Sequence, residues 1–195
     1  MNIVDMKKKL KESLAYNRYV HSIGVMDECE KLALHYNADV NKAKIAGLLH
    51  DCAKNISHSK KENLLEKYEI VLDEIQKQSH ALVHSILGMY VAIEDYNVDD
   101  EEILNAIYWH TTGRAGMTLL EKIVFIADYI EPARTFDITE EVRKNAYEDI
   151  EQAIVLSADS TIRFLQDQKK LVHPFTLATR NDAILTIMKR KASSI

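Results

Sequence analysis

The amino-acid sequence predicts an all-α protein, a helical bundle of roughly nine or ten helices. Two observations carry this reading: turn-forming residues are scarce, and helix-start signals recur along the chain. Glycine and proline number five and two in 195 residues, where average usage would give roughly 14 and 10. Sheet proteins built from hairpins need more turn residues than that. The start signals are Ser59…Glu62, Asp99…Glu102, Thr118…Glu121 and Asp137…Glu140. Each has the capping-box form, in which the first and fourth side chains satisfy orphan backbone donors reciprocally.

These signals place helices at about 3–15, 17–36, 40–53, 59–68, 71–79, 81–95, 100–110, 118–131, 139–169 and 175–191. Asp39 caps the third after a short turn at Asn37-Ala38. Pro132 stops the helix that contains Asp128, and Pro174 opens the last one. The 139–169 segment carries an apolar stripe through Val142, Ala146, Ile150, Ala153, Ile154 and Phe164, and is expected to pack as one long helix across the bundle.

Hydrophobic residues make up 47% and charged residues 28%, with a formal charge of -5. This is a soluble globular balance and argues against a nucleic-acid partner, which calls for a basic excess. The N-terminus is charged and amphipathic, without the apolar stretch of a signal peptide. No apolar run approaches the ~20 residues that span a bilayer. Cys29 and Cys52 form neither a disulfide framework nor a CxxC pair, which suits a reducing cytoplasm. The expectation is a cytoplasmic protein without membrane attachment: one domain over 1–195, a functional core at about 17–135 and C-terminal helices at about 139–191. Its apolar helices leave room for a homodimer.

Four of the eight histidines, His21, His50, His84 and His110, fall inside strongly apolar segments. Asp51 follows Leu48-Leu49-His50, and Asp128 sits within Val124-Phe-Ile-Ala-Asp-Tyr-Ile130. A lone histidine on an apolar face is ordinarily a satisfied core residue, but four of them together with two acids are not so easily absorbed. Burying a carboxylate is costly unless it is paired or binds a cation. Gly24, Gly47 and Gly88 lie three or four residues from His21, His50 and His84, on the same helix faces. Each costs about 1 kcal/mol relative to alanine, so close packing beside the imidazoles is expected. His50 and Asp51 point about 100° apart on an ideal helix and reach one ion only at a helix edge or end. Imidazoles and carboxylates without a thiolate suit iron, manganese or another divalent ion that tolerates octahedral geometry.

The order His21…His50-Asp51…Asp128 resembles the H…HD…D pattern of the HD-domain superfamily of metal-dependent phosphohydrolases. Longer strings are similar to the bacterial YqeK family: Arg18-Tyr-Val-His21-Ser-Ile-Gly24, Ala46-Gly-Leu-Leu-His-Asp-Cys-Ala-Lys54, Ala106-Ile-Tyr-Trp-His110-Thr-Thr-Gly113, Lys122 through Arg134, and Val172-His-Pro-Phe-Thr-Leu-Ala-Thr-Arg180. The resemblance covers nearly the whole chain and implies symmetrical hydrolysis of diadenosine tetraphosphate to two ADP. By position it makes His21, His50, Asp51 and Asp128 the metal ligands, with iron as the native metal and manganese, cobalt or magnesium as alternatives. It gives His84 and His110 a phosphate or a second metal to hold. Asp51, His84, His110 and Lys54 become the catalytic set. The substrate contacts it implies are Arg18, His21, Asp51, His84, His110 and Arg134, with His173, Pro174, Thr176 and Arg180 toward the nucleoside. The Ser85-Ile-Leu-Gly88 run departs from the smaller residues expected after His84.

On spacing alone, Lys54 and Arg134 also suit surface cations, and Arg134 a helix C-terminus. Other activities of the superfamily compete with the tetraphosphatase reading, as does a nucleotide sensor without turnover. Cys52-Ala53-Lys54-Asn55 after the HD pair lacks the acidic pair of the alarmone hydrolases.

Overall fold

The computed structural model describes residues 1–193, so the last two residues of the expected 1–195 unit lie outside the described residues. Among the described residues there are eleven α-helices and no strand. They are α1 (Ile3–Ser13), α2 (Tyr16–His35), α3 (Val40–Leu49), α4 (His58–Lys67), α5 (Glu74–Lys77), α6 (His80–Tyr96), α7 (Glu101–Trp109), α8 (Leu119–Ile130), α9 (Thr139–Glu148), α10 (Ile150–Asp167) and α11 (Pro174–Ala192).

Helices α2, α3, α7 and α8 form the centre: α2 packs on α3 and α8, and α3 packs on α7 and α8. Helix α6 lies on α7, and the α9–α11 layer reaches the centre chiefly through α8. The core between them is aliphatic, with Leu32, Leu48, Leu49, Ile107, Ile123, Ile126 and Ile154 fully enclosed. Four facing helices thus direct side chains into one interior region, where burying an unpaired polar group is costly.

Several helix ends follow the sequence signals. Asp39 caps α3 by accepting from the Lys42 amide, and Thr118 with Glu121 makes the reciprocal box at α8. Asn37 takes the left-handed conformation (φ 53°) between α2 and α3. Pro174 occupies the first turn of α11, whose cap is the His173 side chain.

Other ends differ. The cap of α4 is Ser57, because its hydroxyl reaches the Lys60 amide; Ser59 already lies inside the helix. Asp100, one residue later than expected, caps α7. Helix α9 begins after Ile138 with no side-chain cap, so the Asp137 box does not form. The segment expected as one helix over 139–169 breaks at Asp149. This residue is extended (φ -155°, ψ 103°), closing α9 and capping α10 through the Glu151 amide.

Candidate metal centre

His50 is not inside a helix but is the C-cap of α3, and Asp51 begins the turn that follows. The helix expected to run to residue 53 therefore stops at Leu49. His50, whose backbone stays helical (φ -51°, ψ -40°), and Asp51 both meet the cluster from this end of α3. His110 repeats this device as the C-cap of α7. Both rings are anchored alike: His50 Nδ1 donates to the Gly47 carbonyl and His110 Nδ1 to the Ile107 carbonyl, each at 2.7 Å. Because a carbonyl only accepts, Nδ1 carries the hydrogen in both rings and Nε2 points inward.

His21 enters from α2, His84 from α6 and Asp128 from α8. His21 Nε2 lies 3.2 Å from His50 Nε2 and 3.0 Å from Asp128 Oδ1. His84 Nε2 lies 3.1 Å from His110 Nε2 and 2.9 Å from Asp51 Oδ1. Asp51 joins the two halves. Its Oδ1 faces His84 and also His110, at 3.7 Å. Its Oδ2 faces His50 at 3.7 Å and His21 at 4.0 Å.

Around this cluster stand three cations. Arg18 Nη1 is 3.4 Å from Asp51 Oδ2, Lys54 Nζ is 3.4 Å from Asp51 Oδ1 and 3.2 Å from His84 Nε2, and Arg134 Nη2 donates to Asp128 Oδ1 at 2.7 Å. His50 is fully buried and Asp51 is 2% exposed. Asp128 and the three cations keep part of their side chains in solvent. The cluster is therefore closed at its base and open along one cationic edge.

Protonation follows from these neighbours. Burial lowers the pKa of His50, and burial with the nearby His50 and His84 lowers that of His110 to about 3. Both rings are neutral, with bare Nε2 lone pairs. Burial alone would raise Asp51, but His50, His84 and Lys54 hold it well below the ordinary carboxylate range. Burial also opposes ionisation of Asp128, and its contacts with His21, His50 and Arg134 overcome that. For His21, the Asp128 and Glu131 carboxylates outweigh burial and raise the pKa.

The bare Nε2 atoms of His50 and His110 stand 3.2 Å and 3.1 Å from the Nε2 atoms of His21 and His84, beside two carboxylates, a donor set of the kind that binds a cation. A cation satisfies them together. Three overlapping sets of donor atoms lie within 4.8 Å of one another: His21/His50/Asp51, His50/His110/Asp128 and Asp51/His84/His110. The residues present thus fit a divalent ion.

The structure also brings in groups to which sequence reasoning gave no role. Glu131, buried at the end of α8, accepts from His21 Nδ1 at 3.0 Å and from the Ala133 amide at 2.8 Å. Gly24 makes room for it, since a Cβ there would sit 2.8 Å from Glu131 Oε2. Gly47 admits α2 similarly: its Cβ would meet Cys29 Sγ at 2.7 Å and the Met26 backbone at 3.1 Å. Thr111 places its hydroxyl 3.2 Å from His110 Nε2. The sequence signal for Glu131 was its position three residues after Asp128, one helical turn along the same face.

The expected nucleoside contacts of the tail make other partnerships. His173 accepts the Phe175 amide on Nδ1 at 3.2 Å and meets Asp73 Oδ2 through Nε2 at 2.8 Å, so both ring nitrogens are engaged. Pro174 starts α11, Thr176 is buried, and Arg180 pairs with Asp159 on α10. His173 and Arg180 thus tie α11 to Asp73 and to α10, and Pro174 and Thr176 lie in its first turn.

Residues 18–133, which contain all six cluster residues, match the family model described as HD domain. The chain belongs to the HD-domain family. Its relatives include the symmetrical bis(5'-nucleosyl)-tetraphosphatases of Halalkalibacterium halodurans and Bacillus subtilis. The first is 41% identical over 90% of this chain and 94% of its own, the second 39% over 93% and 97%. A crystal structure from Clostridium acetobutylicum, described as a predicted HD superfamily hydrolase involved in NAD metabolism, superposes with TM-score 0.87 at 40% identity. It covers 95% of this HD-domain chain and 98% of its own. Among the described residues no helix is long and apolar enough to cross a membrane.

Proposed function

We propose that this HD-domain protein is a metal-dependent hydrolase that cleaves diadenosine tetraphosphate symmetrically into two ADP. The observation that carries the chemistry is the convergence of His21, His50, Asp51, His84, His110 and Asp128 beside Arg18, Lys54 and Arg134. The choice of substrate rests on the names of relatives similar over nearly their whole length.

His21, His50, Asp51 and Asp128 would hold the ion. Mixed imidazole and carboxylate donors without thiolate favour iron, with manganese, cobalt or magnesium as replacements. A divalent cation supplies Lewis acidity there, neutralising phosphoryl charge and acidifying water. In the reaction, water oxygen bonds to one of the two central phosphorus atoms, and the bridging oxygen departs with the other ADP. Asp51, ionised at neutral pH, is placed to orient the attacking water. Arg18, Lys54 and Arg134 meet the phosphoryl oxygens along the open edge, where fixed cations act on charge that builds in the transition state. His84, held against Lys54 and Asp51, and His110, held beside Thr111, face the same oxygens. Both cysteines are free and buried, which fits a cytoplasmic enzyme.

The experiment is chromatography of the products formed from diadenosine tetraphosphate by protein purified without chelator. ADP as sole product is expected. Equal ATP and AMP would replace symmetrical by asymmetrical cleavage, and tight nucleotide binding without turnover would make the protein a sensor.

A further inference from the structure

The turn that follows α8, Glu131-Pro132-Ala133-Arg134, carries two of the groups around the cluster: Glu131 faces His21, and Arg134 faces Asp128. It starts at Glu131, whose backbone leaves the helix (φ -52°, ψ 154°). The last carbonyls of a helix have no intrahelical partner and need donors from elsewhere. Pro132 has no N–H to offer, and α8 has no basic residue in its own last turn.

Arg143 of α9 supplies those donors. Its Nε donates to the Ile130 carbonyl at 2.8 Å, and its Nη2 to the Glu131 carbonyl at 2.8 Å and the Arg134 carbonyl at 3.0 Å. Nη1 pairs with Glu140, one turn back on the same helix. One planar guanidinium thus spans the turn from its first residue to its last, which the point charge of a lysine does not match. By spacing, Arg143 would be the partner of Glu140 on a solvated face. Its neighbour Lys144 does lie in solvent, with its side chain 72% exposed, but that of Arg143 is only 25% exposed. The buried Val142 and Ala146 seat α9 against the bundle and bring Arg143 to the end of α8.

We propose that Arg143 is a positioning residue that acts through Arg134, fixing the turn from which that guanidinium reaches the phosphoryl oxygens. Arg134 is held to Asp128 twice, through Nη2 to the carboxylate at 2.7 Å and through Nε to the carbonyl at 3.0 Å. Its aim therefore depends on where its own backbone stands relative to Asp128, and the turn pinned by Arg143 sets that separation. Arg143 spends its donors on three carbonyls and Glu140, so its effect on the reaction comes at one remove. The proposal rests on the proposed function, which assigns Arg134 to the phosphoryl oxygens. A misplacement of about 1 Å in such a group can cost about a hundredfold in rate.

The test is a double-mutant cycle on the metal-loaded protein, with Arg134→Ala, Arg143→Ala and the two combined. Two quantities are read: kcat and KM for diadenosine tetraphosphate, and the calorimetric Kd for inorganic pyrophosphate. Arg143→Ala should lower kcat/KM about 10–100-fold, divided between kcat and KM as in Arg134→Ala, and should weaken pyrophosphate binding. The double variant should lose no more than Arg134→Ala alone, because residues that act as one unit are not additive. Arg143→Lys, which keeps the charge and loses the fork, should melt near the wild-type temperature and still lose most of the rate. It takes the place of Arg143→Ala in the cycle where the alanine variant does not fold. Losses that add, or wild-type rate and affinity in either Arg143 variant, would overturn the proposal. The same coupling seen in pyrophosphate affinity, in a protein that leaves the tetraphosphate intact, would overturn the proposed function and support the role of Arg143. A wild type that neither binds pyrophosphate nor turns over would overturn both.

Discussion

At the residue scale, the informative feature is that buried polar groups are arranged around other buried polar groups. Glu131 fixes His21, and backbone carbonyls fix His50 and His110, so three inward-facing Nε2 atoms have defined orientations. Partners of this kind set the tautomer and basicity of a ligating imidazole, and their loss typically costs about 10–100-fold in metal affinity or activity. Glu131→Gln keeps the shape but removes the charge facing His21. Its affinity for the metal, read by competition with a chromogenic chelator, should fall about tenfold with the helical circular dichroism unchanged. Wild-type affinity would mean that Glu131 only closes the end of α8. The histidines and acids were legible because each interrupts an apolar run, which is a local signal. Glu131 was not, because its partner is 110 positions away and the Glu131-Pro132 pair already reads as a helix end.

At the scale of elements, the sequence placed most helices within a few residues but misjudged how some of them begin and end. A capping box needs only a polar residue and a glutamate three positions on, and the simple caps at Ser57 and Asp100, which lack that glutamate, win over the boxes read at Ser59 and Asp99. The break at Asp149 was hidden because Glu148-Asp149-Ile150-Glu151 suits a helix interior by propensity. Two contacts impose it: the carboxylate caps α10 at the Glu151 amide, and Arg190 of α11 donates to the same oxygen at 3.0 Å. Asp149→Ala should therefore destabilise the protein by about 1 kcal/mol, the usual cost of losing an N-cap. Urea denaturation with an unchanged midpoint would show that α9 and α10 are set by packing alone. The ends of α3 and α7 have a functional consequence: His50 and His110 are the two C-caps, each ring held toward the cluster by a backbone carbonyl of its own last turn.

Taken as a whole, the molecule uses five helices, α2, α3, α6, α7 and α8, to bring residues from positions 21 to 128 around one point, and a second layer, α9–α11, packs on α8. The family pattern made the first part readable from sequence, since the H…HD…D order survives without any knowledge of packing. The packing of the second part was not readable, because Asp73 and Asp159, the partners of the tail residues His173 and Arg180, lie 100 and 21 positions away in the chain. Asp51 is the residue on which both halves of the cluster depend, with one oxygen facing each pair of imidazoles. The most direct measurement is therefore the metal content and hydrolytic rate of Asp51→Ala beside the wild type, with circular dichroism as a check on folding. The variant should keep its helical spectrum while losing bound metal and at least about a hundredfold in rate. A folded variant with wild-type metal content and turnover would contradict the assignment of the site.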